Sequence, residues 1–470
     1  MRLVFPSSQG LVERSRLGRA LVEAVATLIA AIATLLCALA ISREPGPGIL
    51  AVVLCLSLSR SQLDRDRRGR IEAVFVLPAV GLAAAGVGIL LHRFPIVGAL
   101  VFTAGMFVSI WLRRFGPMAR RVGSLIALPF VTLLTVPYIP PKQPGPVPVL
   151  LLPIVVGLLA LFWVNLMHAL AQALRLLPRV GHAAFVAAPT PESSLRPIAS
   201  TRMAIQMAVA LLLSFAVGYA AFPQHWSWIV LTAFIVNSGN RGRLDVAHKS
   251  VLRVLGAAVG TLIALVLGVH LGLDEHTIVI LILTAIFLGV WLRPLGYGWW
   301  ALFVTVALAL LQDLVGVPAA RMLWPRLEEI VIGAIIGVAA GWFVLPVRST
   351  GVLRRRIADA LAALSTALDR QQPAGNTDAF FAALHAVEQV APPFRATRHI
   401  AQRVRPERSA DWIEALLSCR EPGGKLIEQG QAPPSVHRAL AHARRSMREP
   451  VQILPALQQL HACLHDASGR

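Results

Sequence analysis

The sequence has few charged residues for its length. Only 14% of its 470 residues are Asp, Glu, Lys or Arg, whereas about 25% is usual for a soluble domain. Hydrophobic residues make up 56% of the chain, and a soluble globule of this size could not bury so many of them. The composition therefore excludes a soluble protein and predicts a membrane protein, with the lipid bilayer as its first partner.

Lysine and cysteine are also scarce. The lysines are Lys142, Lys249 and Lys425, so arginine carries almost all of the positive charge behind the net +20. The arginines stand in short clusters between apolar runs and form no basic face interleaved with aromatic residues, which argues against nucleic acid as a partner. The four cysteines form no CxxC pair and no Cys/His cluster, so neither a metal site nor a disulfide framework is expected.

Twelve apolar runs approach the length of about 20 residues that a membrane-spanning helix needs. We therefore predict an all-α fold with about twelve transmembrane helices. The arginine clusters fall on alternate short loops, which places both termini in the cytoplasm of a multi-pass inner-membrane protein. The runs lie near 20–42, 46–59, 71–91, 95–112, 122–140, 147–170, 198–222, 226–239, 251–271, 275–292, 298–316 and 327–346.

The two halves of this region repeat with an offset close to 180 residues. Trp111-Leu112-Arg113 with Gly116 returns as Trp291-Leu292-Arg293 with Gly296. We predict two parallel six-helix repeats, 1–170 and 198–346, joined by a cytoplasmic linker at 171–197. An even number of helices in each half gives the halves one orientation, an arrangement that secondary transporters use. Chance alignment of Leu/Ala/Val-rich helices is the alternative interpretation.

The second and eighth runs are short. Each has about 14 apolar residues, which cover roughly 21 Å of a hydrocarbon core about 30 Å thick. Paired short segments at corresponding positions of two halves indicate a substrate site near the midplane. The alternative is that both are ordinary helices whose ends extend beyond the apolar run.

The chemistry of the chain changes after Pro346. Residues 347–470 contain no run long enough to span a membrane, and apolar residues recur at helical spacing between breaks rich in proline and glycine. We predict a cytoplasmic helical domain, which could regulate, oligomerise or only stabilise the protein.

Enzyme motifs are absent from the sequence. It has no phosphate-binding Walker loop, no HExxH and no GxSxG, so we expect no enzyme activity and no cofactor. Transport driven by a gradient or by a partner protein is the economical interpretation.

The clearest local signal runs from Trp226 to Gly260. It consists of Trp226-Ser227-Trp228, then Leu231-Thr232-Ala233, a basic turn, and Arg253 with Gly256 and Gly260. Over roughly 200–345 the sequence resembles the fusaric acid resistance-like family, which includes the aromatic acid exporters. Several members carry a large insertion between the halves, whereas the linker here is short.

The resemblance implies an inner-membrane exporter of aromatic or other weak organic acids that is coupled to protons, and it allows a periplasmic adaptor as a partner. Two alternatives stay open. A plant channel family resembles the same half-unit, which suggests a passive organic-anion channel. The chain could also be a non-transporting membrane scaffold.

Four residues are candidates for binding an organic anion. Trp226 and Trp228 could stack on an aromatic ring while Thr232 supplies a hydroxyl, or the two tryptophans could belong to the interfacial aromatic belt. Arg253, just inside a predicted helix start, could attract a carboxylate or extend toward lipid headgroups.

Three carboxylates near the predicted outer helix ends are candidates for proton coupling. These are Asp313, Glu328 and Glu329, since a desolvated carboxylate can load and release protons; solvated charges at helix ends are the alternative. Glycines at small-xxx-small spacing predict close helix packing and are compatible with a homodimer. They are Gly256, Gly260, Gly333, Gly337 and Gly341.

Overall fold

The structure, a computed structural model, is helical throughout the part of the chain that it describes. Within those ranges it contains no β-strand, which confirms the predicted all-α class. The described residues are 8–42, 45–63, 67–135, 151–177, 199–271, 274–314, 319–369, 377–398, 409–430 and 432–469.

The described residues fall into two compact units. The first contains residues 8–177, 199–238 and 249–345, and the second contains 239–248 and 346–469, each less the gaps given above. The helices of the first unit are α1 Ser8–Ile41, α2 Pro45–Leu63, α3 Arg67–Arg93, α4 Pro95–Trp111, α5 Pro117–Thr135, α6 Leu152–Ala173, α7 Ala199–Ala221, α8 Trp226–Asn237, α9 Arg243–Leu271 (whose first residues belong to the second unit), α10 Glu275–Trp291, α11 Tyr297–Leu314 and α12 Ala319–Phe343.

The first unit is built to lie in a bilayer, and the chain is a multi-pass membrane protein. Among the described residues, six helices (α1, α3, α4, α6, α7 and α9) are long and apolar enough to cross a membrane. Large apolar side chains cover the outside of the unit. On α9, for example, Val251, Leu255 and Leu262 are exposed, as a lipid-facing surface requires.

Helices of the first unit pack in two similar groups. Helices α1, α2 and α6 contact one another, and α7, α8 and α12 contact one another in the same way. Helix α4 packs against α7, whereas α10 packs against α1. Each group is therefore joined to a helix from the other half of the sequence.

A sharp connection recurs in the two halves. Helix α4 ends at Trp111, and a short 3-10 turn and Gly116 lead into α5; after α10 ends at Trp291, a 3-10 turn and Gly296 lead into α11 in the same order. The φ angles of Gly116 and Gly296 are +105° and +153°, a region that side chains with a Cβ avoid. The positive φ of this turn thus explains why glycine occurs at both positions.

The eighth helix is short, and the second has a short apolar part. Helix α8 has 12 residues, about 18 Å at the helical rise, as the sequence predicts. Helix α2 has 19 residues and continues beyond its apolar run into the basic segment. The predicted pair of short apolar segments is present, Gly46–Ser59 and Trp226–Asn237, although polar residues extend α2 itself to Leu63.

The second unit has its own hydrophobic core and seven described helices. Leu361, Phe380, Trp412 and Leu457 are among its fully buried side chains. Its helices are α13 Ser349–Ala367, α14 Thr377–Glu388, α15 Ala391–Ala396, α16 Ser409–Ser418, α17 Arg420–Gln429, α18 Pro434–Ser446 and α19 Pro450–Ser468.

The loop between α8 and α9 is folded into this second unit. The N–H of Arg243 donates to the carbonyl of Val347 at 3.1 Å, and the N–H of Leu244 donates to Oγ of Ser349 at 3.0 Å. Arg241 donates to the side-chain oxygen of Gln389 at 2.9 Å and also to its carbonyl. The basic turn that the sequence presents as a loop between spans is therefore held by residues of the tail.

Candidate functional site

Helices α8 and α12 lie unusually close together. A Cβ at Gly333 would be 2.5 Å from the carbonyl oxygen of Ile229 and 2.9 Å from Cβ of Thr232. One turn further along, Nδ2 of Asn237 donates to the carbonyl of Gly337 at 3.3 Å. The predicted close packing at these glycines is confirmed, and it aligns the first turns of α8 with the middle of α12.

Helices α9 and α11 make a second close contact. A Cβ at Gly256 would be 2.8 Å from Cβ of Ala301, and one at Gly260 would be 2.6 Å from the carbonyl oxygen of Leu302. These glycines, like Gly333, pack within one chain. They therefore give no support to the homodimer that their spacing suggested.

Arg326 is buried on α12 against an aromatic ring. The sequence places it in a loop before a span that starts at 327, but α12 begins at Ala319, where charged residues conceal the first turns of the helix. Arg326 is 4% exposed, and its guanidinium carbon lies 4.3 Å from the ring centroid of Trp228, within the range of a cation–π interaction. Trp228 is buried, whereas a residue of the aromatic belt would face lipid.

Arg253 is buried deep in α9. Because that helix begins at Arg243, Arg253 lies about 15 Å from its start at the helical rise and not just inside it. It is 2% exposed, so it does not extend to lipid headgroups. Its helix packs against α11 at Gly256 and Gly260, and α11 in turn contacts α12.

Several polar atoms of this site have no protein partner. Among the described residues, Nε of Arg253, Oη of Tyr297 and Oγ1 of Thr232 are buried and accept or donate no hydrogen bond. Each such atom costs about 1–3 kcal/mol, and native proteins retain few of them. These three atoms could each bond to a polar ligand or to water.

Of the two adjacent carboxylates on α12, only Glu329 faces the site. It is 1% exposed, and its Oε1 lies 3.7 Å from Nδ1 of His225, whose side chain is 28% exposed. Glu328 is exposed. The third candidate, Asp313, falls in the last turn of α11, and its side chain lies outside the described part of the chain.

Trp226 is directed away from this site. Its ring packs on α7, with centroids 5.4 Å from Phe215 and 5.3 Å from Tyr219. Residues two apart on a helix point in different directions, so Trp226 packs on α7 while Trp228 lies against Arg326. The structure assigns Trp226 to helix packing.

The site is confined to one half of the chain. The residues 180 positions before Trp228, Thr232, Arg253 and Tyr297 are all without a polar side chain: Gly48, Val52, Ala73 and Pro117. Among the described residues, the buried ionisable groups of this site are Arg253, Arg326 and Glu329, and guanidinium groups can donate charge-assisted hydrogen bonds to an anion.

The segment that contains the site matches a known family. Residues 203–340 match the model described as fusaric acid resistance protein-like, which confirms the resemblance expected from Trp226 to Gly260. The segment includes all of the buried residues described above: Trp228, Thr232, Arg253, Tyr297, Arg326 and Glu329.

Three bacterial sequences illustrate the relationship. The chain is 30% identical over 257 residues to the multidrug resistance protein MdtO of Shigella flexneri, which is 51% of this chain and 35% of that protein. It is 28% identical over 170 residues to the uncharacterized protein YhfK of Escherichia coli K12, 36% of this chain and 23% of that one. It is 27% identical over 157 residues to the inner membrane protein YccS of the same strain, 33% and 21%. The matched regions thus span about a third or less of each relative.

Proposed function

We propose that this chain is an efflux transporter of the inner membrane that exports aromatic or other weak organic acids and is coupled to inward movement of protons. The observation that carries the proposal is the burial of Arg253 and Arg326 together, beside Trp228, inside an apolar helical unit. Ionisable residues within membrane helices are rare and mark substrate or ion pathways.

The chemistry of these side chains suits an aromatic carboxylate. A carboxylate accepts charge-assisted hydrogen bonds from guanidinium groups, and Nε of Arg253 is a donor without a protein partner among the described residues. The hydroxyls of Thr232 and Tyr297 offer further bonds, while the Trp228 ring supplies an aromatic face. The names of MdtO, a multidrug resistance protein, and YccS, an inner membrane protein, support export and location.

Glu329 is the proton-coupling residue that we propose among the three carboxylates. Its buried position next to the partly exposed His225 gives it both a reason to bind a proton and a route for one. Glu328 is exposed and therefore lacks the buried position that Glu329 has.

We propose twelve spans arranged as two parallel repeats, with both termini and the second unit in the cytoplasm. The recurrent α4–α5 and α10–α11 connections support the duplication, as does the exchange of α4 and α10 between the two helix groups. The alternation of arginine clusters supports the orientation. A homodimer would use faces other than the glycine contacts, and a periplasmic adaptor remains a proposed partner.

Uptake into inverted membrane vesicles tests the transport proposal. Wild type should take up radiolabelled benzoate, and an uncoupler should abolish that uptake. Arg253→Ala should lower the apparent affinity about 30-fold or more, because removing one partner of a buried charged contact costs at least about 2 kcal/mol. Arg114→Ala is the matched control, since this exposed arginine also lies over an aromatic ring, 5.3 Å from that of Trp111.

The other outcomes have distinct meanings. Uptake that ignores the uncoupler would replace the transporter with a passive channel. Absence of uptake in wild type, for benzoate and for a panel of other organic acids, would contradict the proposal in favour of a scaffold.

A further inference from the structure

A series of hydrogen bonds joins three membrane helices in the first half of the protein. Oγ1 of Thr27 on α1 donates to the carbonyl of Glu23 at 2.7 Å, and the same oxygen lies 2.6 Å from Oγ of Ser59 on α2. That serine oxygen is in turn 3.2 Å from Nε2 of His168 on α6. Thr27, Ser59 and His168, which we call the imidazole cluster, are each at most 2% exposed.

The number of protons in the imidazole cluster fixes the direction of its hydrogen bonds. A hydroxyl group has one proton to donate. Since Thr27 donates its proton to a carbonyl, it accepts from Ser59. Since Ser59 has then used its own proton, it accepts from Nε2 of His168. The neutral imidazole therefore carries its proton on Nε2, which leaves a free electron pair on Nδ1.

Nδ1 of His168 is a buried acceptor, and among the described residues it has no hydrogen-bond partner. This nitrogen can bind one proton, which converts the ring to imidazolium while Nε2 still donates to Ser59. Histidine is the side chain whose charge ordinarily changes near neutral pH. Ionisable residues inside membrane helices mark proton relays as well as substrate sites, so the cluster has the chemistry of a proton-binding site.

His168 lies near one end of its helix. Five residues follow it before α6 ends at Ala173, which is about 7.5 Å at the helical rise. In the orientation that we propose, this is the cytoplasmic end of α6. A proton that moves inward would leave the membrane at this end.

The imidazole cluster has no counterpart in the second half. The residues 180 positions after its three members carry neither a hydroxyl nor an imidazole: Met207, Gly239 and Arg348. The anion site that we propose lies in the second half, so the two halves carry different polar groups.

Few charged groups lie next to the cluster among the described residues. Helix α6 packs against α1, α2 and α3. On α1 the titratable group is Glu23, which is partly exposed, and on α2 it is the buried thiol of Cys55. On α3, the charge of Arg70 acts on His168, whereas Glu72 pairs with an arginine of α5. The positive charge of Arg70 repels a protonated imidazole, which favours release of the proton.

We propose that Nδ1 of His168 is a proton-binding site of the first half, from which a proton that has moved inward leaves for the cytoplasm. This inference rests on the proposed function and adds a second proton-binding group to the one proposed at Glu329. The proton adds to the free electron pair of Nδ1 and later passes to water, which restores the neutral ring. A buried imidazolium is costly without a counter-ion, so the structure represents the proton-free form.

His168→Gln tests this inference by transport in inverted membrane vesicles. Nε2 of glutamine can still donate to Ser59, but the amide binds no proton in this pH range. Uptake of radiolabelled benzoate driven by the proton gradient should fall to the level that wild type shows with an uncoupler. Exchange of labelled for unlabelled benzoate should persist, because exchange needs no net movement of protons. His276→Gln is the matched control, since this imidazole is 93% exposed, and it should behave as wild type does.

Nitrogen NMR tests the proton site without transport. The full protein, labelled with ¹⁵N-histidine, is placed in lipid nanodiscs, and the signals of His168 are those missing from His168→Gln. At about pH 8, above the usual pKa of histidine, Nδ1 should give the signal of an unprotonated nitrogen and Nε2 that of a protonated one. As the pH falls, Nδ1 should become protonated while Nε2 stays so.

The contrary outcomes can be told apart. If wild type shows neither exchange nor uncoupler-sensitive uptake for benzoate or for other organic acids, the proposed function fails and the inference fails with it. If His168→Gln accumulates benzoate as wild type does, the proton site is wrong while the transport function stands. The inference is also wrong if a folded His168→Gln protein loses exchange, or if Nδ1 stays unprotonated until the protein unfolds in acid.

Discussion

A single methyl group added at Gly333 should separate two helices of the site. The new Cβ would lie 2.5 Å from a backbone oxygen of α8, and the backbone cannot move away as a flexible side chain could. Overpacking of this kind costs about 1–3 kcal/mol. Gly333→Ala should therefore lower the thermal unfolding midpoint of the purified protein in detergent.

Gly86→Ala is the control for that substitution. Gly86 is also in a membrane helix, but nothing lies within 4 Å of the position that a Cβ would take there, and alanine favours a helix over glycine by about 0.5–1 kcal/mol. The midpoint should stay constant or rise. Equal losses for the two variants would mean that the α8–α12 contact is less tight than the distances indicate.

Individual residues of the site were only partly predictable. The motif identified Trp228, Thr232 and Arg253, because tryptophan, threonine and arginine in an apolar run stand out. It could not separate Trp226 from Trp228, since only the helical phase against α7 does so. Arg326 was not predicted because the residues before it, including Pro325, look like a loop.

Two further residues gave weak signals. Tyr297 follows the repeated glycine and is one of only three tyrosines in the chain, yet nothing in the sequence places it beside Arg253. His225 precedes the tryptophan motif, but its partner Glu329 is about a hundred residues away. Pairings across such distances depend on tertiary packing, which a single sequence does not reveal.

At the scale of elements, the hydrogen bond from Leu244 to Ser349 should slow hydrogen exchange in the α8–α9 loop by a measurable amount. Ser349→Ala removes the hydroxyl that accepts from the N–H of Leu244, a loss of about 1 kcal/mol. Hydrogen exchange at Leu244 should accelerate roughly fivefold. Ser418→Ala, which removes only a local helical bond to Ala415 on an exposed surface, should leave exchange in the loop unchanged.

Unchanged exchange in Ser349→Ala would show that the other contacts of the loop suffice. The backbone at Gly242 supports the expectation that those other contacts do not hold the loop without Ser349. Its φ is +123°, and a Cβ there would lie 2.6 Å from the Ser349 hydroxyl, so this serine fits a turn that only glycine adopts easily.

The order of helices was predictable, whereas some of their ends were not. All twelve apolar runs correspond in order to a described helix, because lipid forces the backbone to satisfy its hydrogen bonds within each segment. Helices α9 and α12 begin eight residues before the apolar runs do. Charged residues can form helical turns, and an apolar threshold misses them.

At the scale of the whole molecule, the two halves share a backbone plan but not a chemistry. The helix–turn–helix connection recurs at an offset of 180 residues, whereas the arginines that are buried among the described residues, Arg253 and Arg326, both lie in the second half.

Phe115 and Leu295 provide a test of the duplication. They occupy corresponding 3-10 turns and are both exposed, at 56% and 49%. In a chain whose native cysteines are replaced by serine, Phe115→Cys and Leu295→Cys should react with a membrane-impermeant maleimide only after the cells are permeabilised. Gln224→Cys, in the α7–α8 loop, should react in intact cells. Labelling of the first two from opposite sides would exclude parallel halves.

The boundary of the family match and the boundary of the structure that holds the α8–α9 loop do not coincide. The family match ends at residue 340, but the groups that receive the N–H bonds of Arg243 and Leu244 are Val347 and Ser349. A gene fragment cut at the edge of the family would encode every residue of the buried site and still lack the partners of its own central loop. The segment that matches the family is therefore not expected to fold fully on its own. A tail exchanged with that of a relative would have to be exchanged together with the α8–α9 loop.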